Sequence, residues 1–368
     1  MKRKIKRIIK RNKFIYNLVV PLWMSFQLFV NYKYKKVPLS GKLRMIKKYF
    51  VQVYKGLPRI LAFEPVSTCP LNCEFCILKS LRTFEKRKKV RMSFEEFKKI
   101  IDDISFFCTE AHFSGGEPIL NNDIFKMFRY CREKDIFTLM ATNAQLLDEE
   151  KIKSLLKDPP NIILLSFESP DKEVYEKIRK QGKFERLEKN IRDLISEKKK
   201  TGQFYPLIIL QMVLTKVNQY QEKDYHSTVS AMGADFSSIK ALGVWPEGDK
   251  EYVRKMEQEY IIDEREHPIS RHRLDENGKL IPKKPRLGEC PTRYTAYIGS
   301  GGEIYPCWYI VAQDFSPGNA VEQNFVNVWN GKTYKNFRKK MFDGTAYPSL
   351  CDKCIGINTK GIERRVKK

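Results

Sequence analysis

RILAFEPVSTCPLNCEFC, residues 59–76, decides how the rest of the chain is read. Its first half, Arg59–Val66, is an apolar strand-like run. Its second half is a loop that holds Cys69, Cys73 and Cys76 within eight residues. Downstream, further strand-like runs fall at Glu110–Phe113, Ile136–Ala141, Asn161–Phe167, Pro206–Leu214 and Asp235–Leu242. Amphipathic helical patterns separate them. One opens at Ser93 with a Ser93/Glu96 capping box; the others are Asp123–Lys134, Glu149–Lys157, Lys172–Arg179, Phe184–Lys199 and Glu222–Met232, the last closed by Gly233. Strand and helix alternating six times predict an α/β fold with a parallel sheet, whose chemistry belongs at the carboxyl ends of the strands.

The polar residues fall there. The three cysteines follow the first strand, and three thiolates can wrap one face of a metal cluster. Thiolates suit iron–sulfur clusters and zinc alike. Three ligands leave a four-iron cluster one open iron, whereas a structural zinc wants a fourth ligand close by and no His or Cys lies near before Cys108. Ser114-Gly115-Gly116-Glu117-Pro118 follows the second strand; its glycines let backbone approach a ligand, and Glu117 offers a carboxylate to an ammonium group. Thr142-Asn143 follows the third strand and Ser166-Phe167-Glu168 ends the fourth. Each alone reads as readily as a turn or a helix cap.

The C-x3-C-x2-C loop with an aromatic before its last cysteine, followed by G-G-E-P, resembles the radical S-adenosylmethionine (SAM) superfamily over residues 60–242. The resemblance implies a partial (β/α)6 barrel and a [4Fe–4S] cluster on Cys69, Cys73 and Cys76. It implies that the open iron is chelated by the amino and carboxylate groups of SAM. Gly115, Gly116 and Glu117 then hold the methionyl amine, Thr142 and Asn143 lie near the ribose, and Phe75 lies near the adenine. Ser166 and Glu168 stand where the family usually has Ser and Asp at a ribose contact, so Glu is a departure. Arg179 resembles a family arginine near the SAM carboxylate. The implied chemistry is reductive cleavage of SAM and abstraction of a hydrogen atom from an unreactive C–H bond, with an electron donor such as flavodoxin or ferredoxin.

After residue 243 the rhythm breaks. Residues 244–289 read as a linker, and Trp245 and Glu247 within it stand where substrate contact is as open as a linker role. Residues 290–368 read as a small second domain that resembles the family's SPASM or twitch extension. Cys290 and Cys307 flank a hairpin, Tyr294–Ile298 and Glu303–Tyr309 around Gly299–Gly302. A helix follows at Lys332–Phe342, then Cys351-x2-Cys354. No cysteine follows Cys354, so the resemblance implies one auxiliary [4Fe–4S] cluster with no open iron, suited to passing electrons; a four-cysteine zinc site has the same spacing. Cys108 and Cys131 read as buried structural cysteines. None of the four histidines is assigned a role.

Residues 1–59 read as a basic N-terminal helical extension. They contain 17 Lys/Arg and no Asp or Glu, out of a net charge of +25 for the chain. A basic stretch, 1–13, precedes an apolar one, 14–30, with no small-residue cleavage site behind it. The expectation is contact with an anionic membrane surface from the cytoplasmic side, without a span; a basic helical arm packed on the body is the alternative. No nucleic-acid-binding module accompanies the charge, so no nucleic-acid partner is expected. Nine cysteines in 368 residues, grouped at short spacings, indicate metal sites in a reducing compartment rather than a disulfide framework.

The expected function is that of a radical SAM oxidoreductase. A membrane-proximal arm tilts the expected substrate toward a saccharide or lipid-linked molecule, with maturation of a ribosomal peptide or protein side chain as the alternative. A non-catalytic protein holding zinc at both cysteine groups and RNA on its basic arm is the competing class.

Overall fold

The computed structural model describes residues 13–76, 91–244, 250–283, 290, 292, 294–307, 315–342, 351 and 362–366. Six parallel strands form in the expected order: β1 (Ile60–Phe63), β2 (Glu110–Phe113), β3 (Phe137–Thr142), β4 (Ile162–Ser166), β5 (Leu207–Leu214) and β6 (Phe236–Ala241). Between them lie α3 (Phe94–Ile104), α4 (Ile124–Glu133), α5 (Glu149–Lys157), α6 (Lys172–Ile178), α7 (Phe184–Thr201) and α8 (Glu222–Met232). Ser93 and Glu96 form their reciprocal cap on α3, and Gly233 ends α8 with φ 87°. Strand residues alternate between two faces. Phe63 and Phe113 point outward against Phe97 and Phe128 of the helices, with ring centroids 5.0–5.8 Å apart. Glu110 and His112 alternate with Ala111 and Phe113 and so face the inside of the curved sheet.

The sheet stays open and is longer than six strands. β9 (Thr295–Ile298) pairs parallel with β1, then β10 (Glu303–Tyr305) and β11 (Gly318–Asn319) continue antiparallel. At the other edge β12 (Ile362–Arg365) pairs antiparallel with β6. The hairpin expected to open a second domain therefore extends the core sheet. Beyond it, α10 (Phe325–Asn330) and α11 (Lys332–Phe342) pack on the core through Trp329, whose Nε1 donates to the carbonyl of Gly56 at 2.9 Å. Residues 244–289 hold more than a linker: helix α9 (Lys250–Glu259) and an antiparallel pair, β7 (His272–Leu274) with β8 (Leu280–Pro282).

The basic extension is built into the body. α1 (Lys13–Val30) and α2 (Leu39–Lys55) form a hairpin under the amino ends of the strands. Met24, Leu28, Met45 and Tyr49 pack there against Phe137, Ile162 and Leu207, the first residues of β3, β4 and β5. Lys48, on α2, is buried and donates to the carbonyls of Cys108, Lys134 and Asp135 at 3.1, 2.6 and 3.2 Å. Among the described residues no helix is long and apolar enough to cross a membrane.

Candidate active site

Two glycines fit the Gly-Gly-Glu turn against the cysteine loop. The N–H of Gly116 donates to Val66 O (3.0 Å) and that of Glu117 to Thr68 O (2.8 Å). Gly115 has φ +127°, and a Cβ on it would fall 2.5 Å from Cγ of Glu64. A Cβ on Gly116 would fall 2.1 Å from Thr68 O. Gly116→Ala must therefore displace the start of the cysteine loop. Its expected result is loss of reconstituted iron and of SAM cleavage. Gly56→Ala, at φ +62° with nothing within 4 Å, is the control; it costs about 1 kcal/mol of stability and leaves iron content unchanged.

Glu117 is fully buried and already engaged. One carboxylate oxygen accepts from Thr142 Oγ1 at 2.6 Å and from the Ile119 N–H at 3.2 Å; the other accepts from the Asn143 N–H at 2.9 Å. Burial pushes its pKa up, and these donors pull against that. Glu117 thus ties the end of β2 to the end of β3. Asn143 in turn donates through Nδ2 to Cys69 Sγ at 3.5 Å.

Glu168, which the resemblance implies at a ribose contact, forms an ion pair with Arg179. It is buried, and it accepts from Arg179 Nε at 3.0 Å and from Arg179 Nη2, while its second oxygen accepts from the Val213 N–H at 2.6 Å. Arg179 also donates through Nη1 to Cys73 Sγ at 3.4 Å, and its guanidinium lies 5.3 Å from the Phe75 ring centroid. Burial opposes the charge on Arg179, but Glu168 and Cys73 outweigh it and hold the pKa well above the usual guanidinium value. Ser166 stands beside Gln211 at the end of β4.

The cysteine loop is pinned from outside. The N–H groups of Asn72 and Glu74 donate to Lys180 O and Ile178 O, and the buried Glu74 carboxylate pairs with Lys180 and with Lys255 of α9, the latter at 2.9 Å. Residues expected to be linker therefore help position the loop. Cys73 is buried, while Cys69 and Cys76 are half-buried. Burial pushes the Cys69 thiol up to about 12, with Glu117, Cys73 and Cys76 adding to it and a backbone donor at Leu71 opposing it. At Cys69 a bare thiolate is therefore disfavoured, and a cationic cluster would offset that. N–H donors aimed at two of the loop's sulfurs suit cluster ligation as well. Among the described residues no three His, Cys, Asp or Glu side chains could hold a single metal ion, a convergence that a cluster with one thiolate per iron does not require.

Of the second cysteine group, Cys290 and Cys351 are buried and Cys307 is half-buried; Cys354, like Trp245 and Glu247, lies outside the described residues. Cys290 precedes β9 and Cys307 follows β10, so both stand toward the amino end of β1, opposite the Cys69–Cys76 loop. Cys108 and Cys131 are fully buried, and burial raises both thiols. A polar group that the sequence motifs do not mark lies inside the barrel: Glu110 accepts from Tyr34 Oη at 2.9 Å, and its second oxygen lies 3.3 Å from His112 Nε2. Alternation of Glu110 and His112 with Ala111 and Phe113 was the available signal.

A partial barrel with a three-cysteine loop and convergent polar groups at its strand ends defines a cofactor-dependent α/β enzyme class. The comparisons make this specific. The Radical SAM superfamily profile matches residues 63–213, and an iron–sulfur cluster-binding domain, SPASM, matches 290–355. The chain belongs to the radical SAM superfamily and carries a SPASM domain; these imply a [4Fe–4S] cluster, SAM and auxiliary iron–sulfur ligation. It is 32% identical over 122 residues to a PqqA peptide cyclase of Granulibacter bethesdensis, covering 33% of this chain and 32% of that one. It spans about a third or less of the length of the PqqA peptide cyclases it matches. An AdoMet-dependent heme synthase of Methanosarcina barkeri is 23% identical over 309 residues, covering 76% of this chain and 85% of that one. Streptococcus suis SuiB bound to S-adenosylmethionine has the same fold, with TM-score 0.58 and 19% identity over 82% of this chain and 73% of that one. The competing class, a non-catalytic protein with zinc and RNA, gives way to these matches.

Proposed function

We propose that this chain is a radical SAM enzyme that oxidises a peptide side chain. The observation that carries the site is the convergence of Glu117, Asn143, Glu168 and Arg179 from three strand ends on Cys69 and Cys73. Cys69, Cys73 and Cys76 would hold the cluster. Gly115 and Gly116 would leave room for the methionyl group, and Glu117 has lone-pair capacity left for its amine. Phe75 and Ser166 line the same end of the barrel. When bound, the cluster and SAM supply reductive cleavage of SAM and a hydrogen-atom acceptor. Arg179 places a fixed positive charge beside Cys73, and Glu168 keeps that charge in place.

The peptide reading reverses the sequence-based preference for a saccharide or lipid-linked substrate. Relatives named for a peptide substrate, PqqA peptide cyclases, match part of this chain, and SuiB has been solved bound to the precursor peptide SuiA. A net oxidation suits the C-terminal cysteines, because an electron must leave the substrate. The place of Cys290 and Cys307 toward the far end of β1, a strand of about 13 Å, suits electron relay better than substrate contact. The test is to reconstitute the full chain without oxygen and supply SAM, dithionite and a pool of proteome-derived peptides. The expected result is 5′-deoxyadenosine formed in step with a peptide lighter by about two hydrogens. A saccharide pool that raises 5′-deoxyadenosine where the peptide pool does not would overturn the peptide reading and leave the superfamily assignment standing.

A further inference from the structure

Helix α1 is apolar on both sides. Its inward positions, Pro21, Met24, Ser25 and Leu28, recur at helical spacing and are buried, Met24 and Leu28 against α2 and the strand starts. Its outward side is equally greasy: Leu22, Trp23, Phe26 and Phe29 are each more than half exposed. Leu39 and Leu43 of α2 are exposed to a similar degree. A soluble helix ordinarily turns polar residues outward, and a contiguous exposed patch of this kind marks an interaction surface. The charged residues that α1, α2 and their connection contribute are all of one sign, and Asp135 of the body, which lies against α2, is paired with Arg44. Lys35, Lys36 and Lys47 are exposed, Lys42 Nζ lies 5.0 Å from the Phe29 ring centroid, and residues 1–59 contain no acid.

We propose that this face docks the enzyme on an anionic lipid surface, with α1 lying in the interface and the barrel mouth turned away from it. Charge selects the occupant. A second copy of the chain would set basic residues against basic residues, whereas anionic headgroups complement them. Trp and Phe on one side with lysines flanking them is the pattern of an interfacial helix. The inner side of α1 is committed to the protein core, so α1 lies on the bilayer rather than crossing it.

Topology sets the orientation. The α1–α2 hairpin closes the amino ends of β3, β4 and β5, while the cysteine loop and the Gly-Gly-Glu turn leave the carboxyl ends. The mouth therefore stands off the bilayer by the depth of the barrel, about 13–27 Å for strands of four to eight residues. A reacting group sunk in the bilayer does not reach it, so membrane contact gives no support to a lipid substrate. The inference stands apart from the peptide reading.

The test uses the reconstituted full chain and sedimenting vesicles of phosphatidylcholine alone or mixed with phosphatidylglycerol. Binding to the mixed vesicles is expected, with emission from Trp23 moving to shorter wavelength. Binding should fall about tenfold or more on neutral vesicles, at high salt, and in the double variant F26E/F29E. These side chains point outward, so the variant should keep its circular dichroism and its rate of SAM cleavage, and the vesicle-bound enzyme should keep that rate too. The proposal is overturned by absence of binding to mixed vesicles, or by binding that F26E/F29E leaves unchanged. A lipid-free dimer that F26E/F29E dissociates would assign the face to a second copy instead. Loss of SAM cleavage on vesicles would overturn the orientation.

Discussion

Cys73→Ala is expected to cut the iron of the reconstituted chain from about eight to about four per molecule and to reduce 5′-deoxyadenosine formation to background. Cys73 is the buried member of its group, and its sulfur accepts a hydrogen bond from Arg179. The loop around it is held at Asn72 and Glu74 by backbone bonds to residues 178–180, and at Glu74 by Lys180 and Lys255. A pinned loop cannot swing another residue into the missing ligand's place. Cys108 cannot substitute, being fully buried on the helix-packed side of the sheet. Cys290→Ala is the companion variant. It should remove the other four or so irons while dithionite-driven SAM cleavage survives, because that cysteine stands at the opposite end of β1. Iron and cleavage are read by chemical assay and chromatography. Full iron in Cys73→Ala, or zinc in the unaltered protein, would sink the assignment of this loop.

The rhythm of strand and helix was legible because each element carries its own local signal. Glu110–Phe113 and Glu149–Lys157 match the expected bounds residue for residue, the second because Asp148 caps it through its side chain. What was not legible is pairing across long stretches of chain. Tyr294–Ile298 reads as half of a hairpin, which is true locally, but the other edge of the strand it forms, Thr295–Ile298, lies on β1. Ile362–Arg365 has no strand pattern of its own; the free edge of β6 makes it a strand. The linker reading of 244–289 failed for a similar reason. α9 is a polar helix that buries Met256 and is useful chiefly for what Lys255 reaches, and no period announces that.

At the site, residue types were legible and their partners were not. Glu117 was read as a ligand for an ammonium group, yet in the structure it first of all joins two strand ends. Glu168 and Arg179 were both singled out, but α6 and its turns lie between them in sequence, and only the fold shows that they form one ion pair. Lys48 shows the same limit. A lysine in a basic arm reads as a solvated or lipid-facing charge, and instead it is buried among three carbonyls, that of Cys108 just before β2 and those of Lys134 and Asp135 at the end of α4.

Glu168→Ala is expected to be the most damaging single change outside the cysteines. It would leave the Arg179 guanidinium, only 14% exposed, without its carboxylate, and would strip the Val213 N–H of its acceptor. Removing one partner of such a pair costs about 3–5 kcal/mol, more than breaking it symmetrically. The urea midpoint of the anaerobic protein should fall accordingly, and 5′-deoxyadenosine formation should fall with it. Glu168→Gln separates charge from shape: it keeps the size of the side chain and one acceptor oxygen, enough for Arg179 or for the Val213 N–H but not for both, and lets the positive charge act uncompensated on Cys73. Stability should fall less, and SAM cleavage should still drop. The double variant Glu168→Ala/Arg179→Met removes both charges. It should regain much of the stability, because no uncompensated charge remains buried, but not the activity, because Arg179 is then absent from Cys73 and Phe75. A double variant that regains both would show that the pair only holds the fold. One that regains stability alone would make Arg179 a positioning residue for the cysteine loop, with Glu168 acting through it.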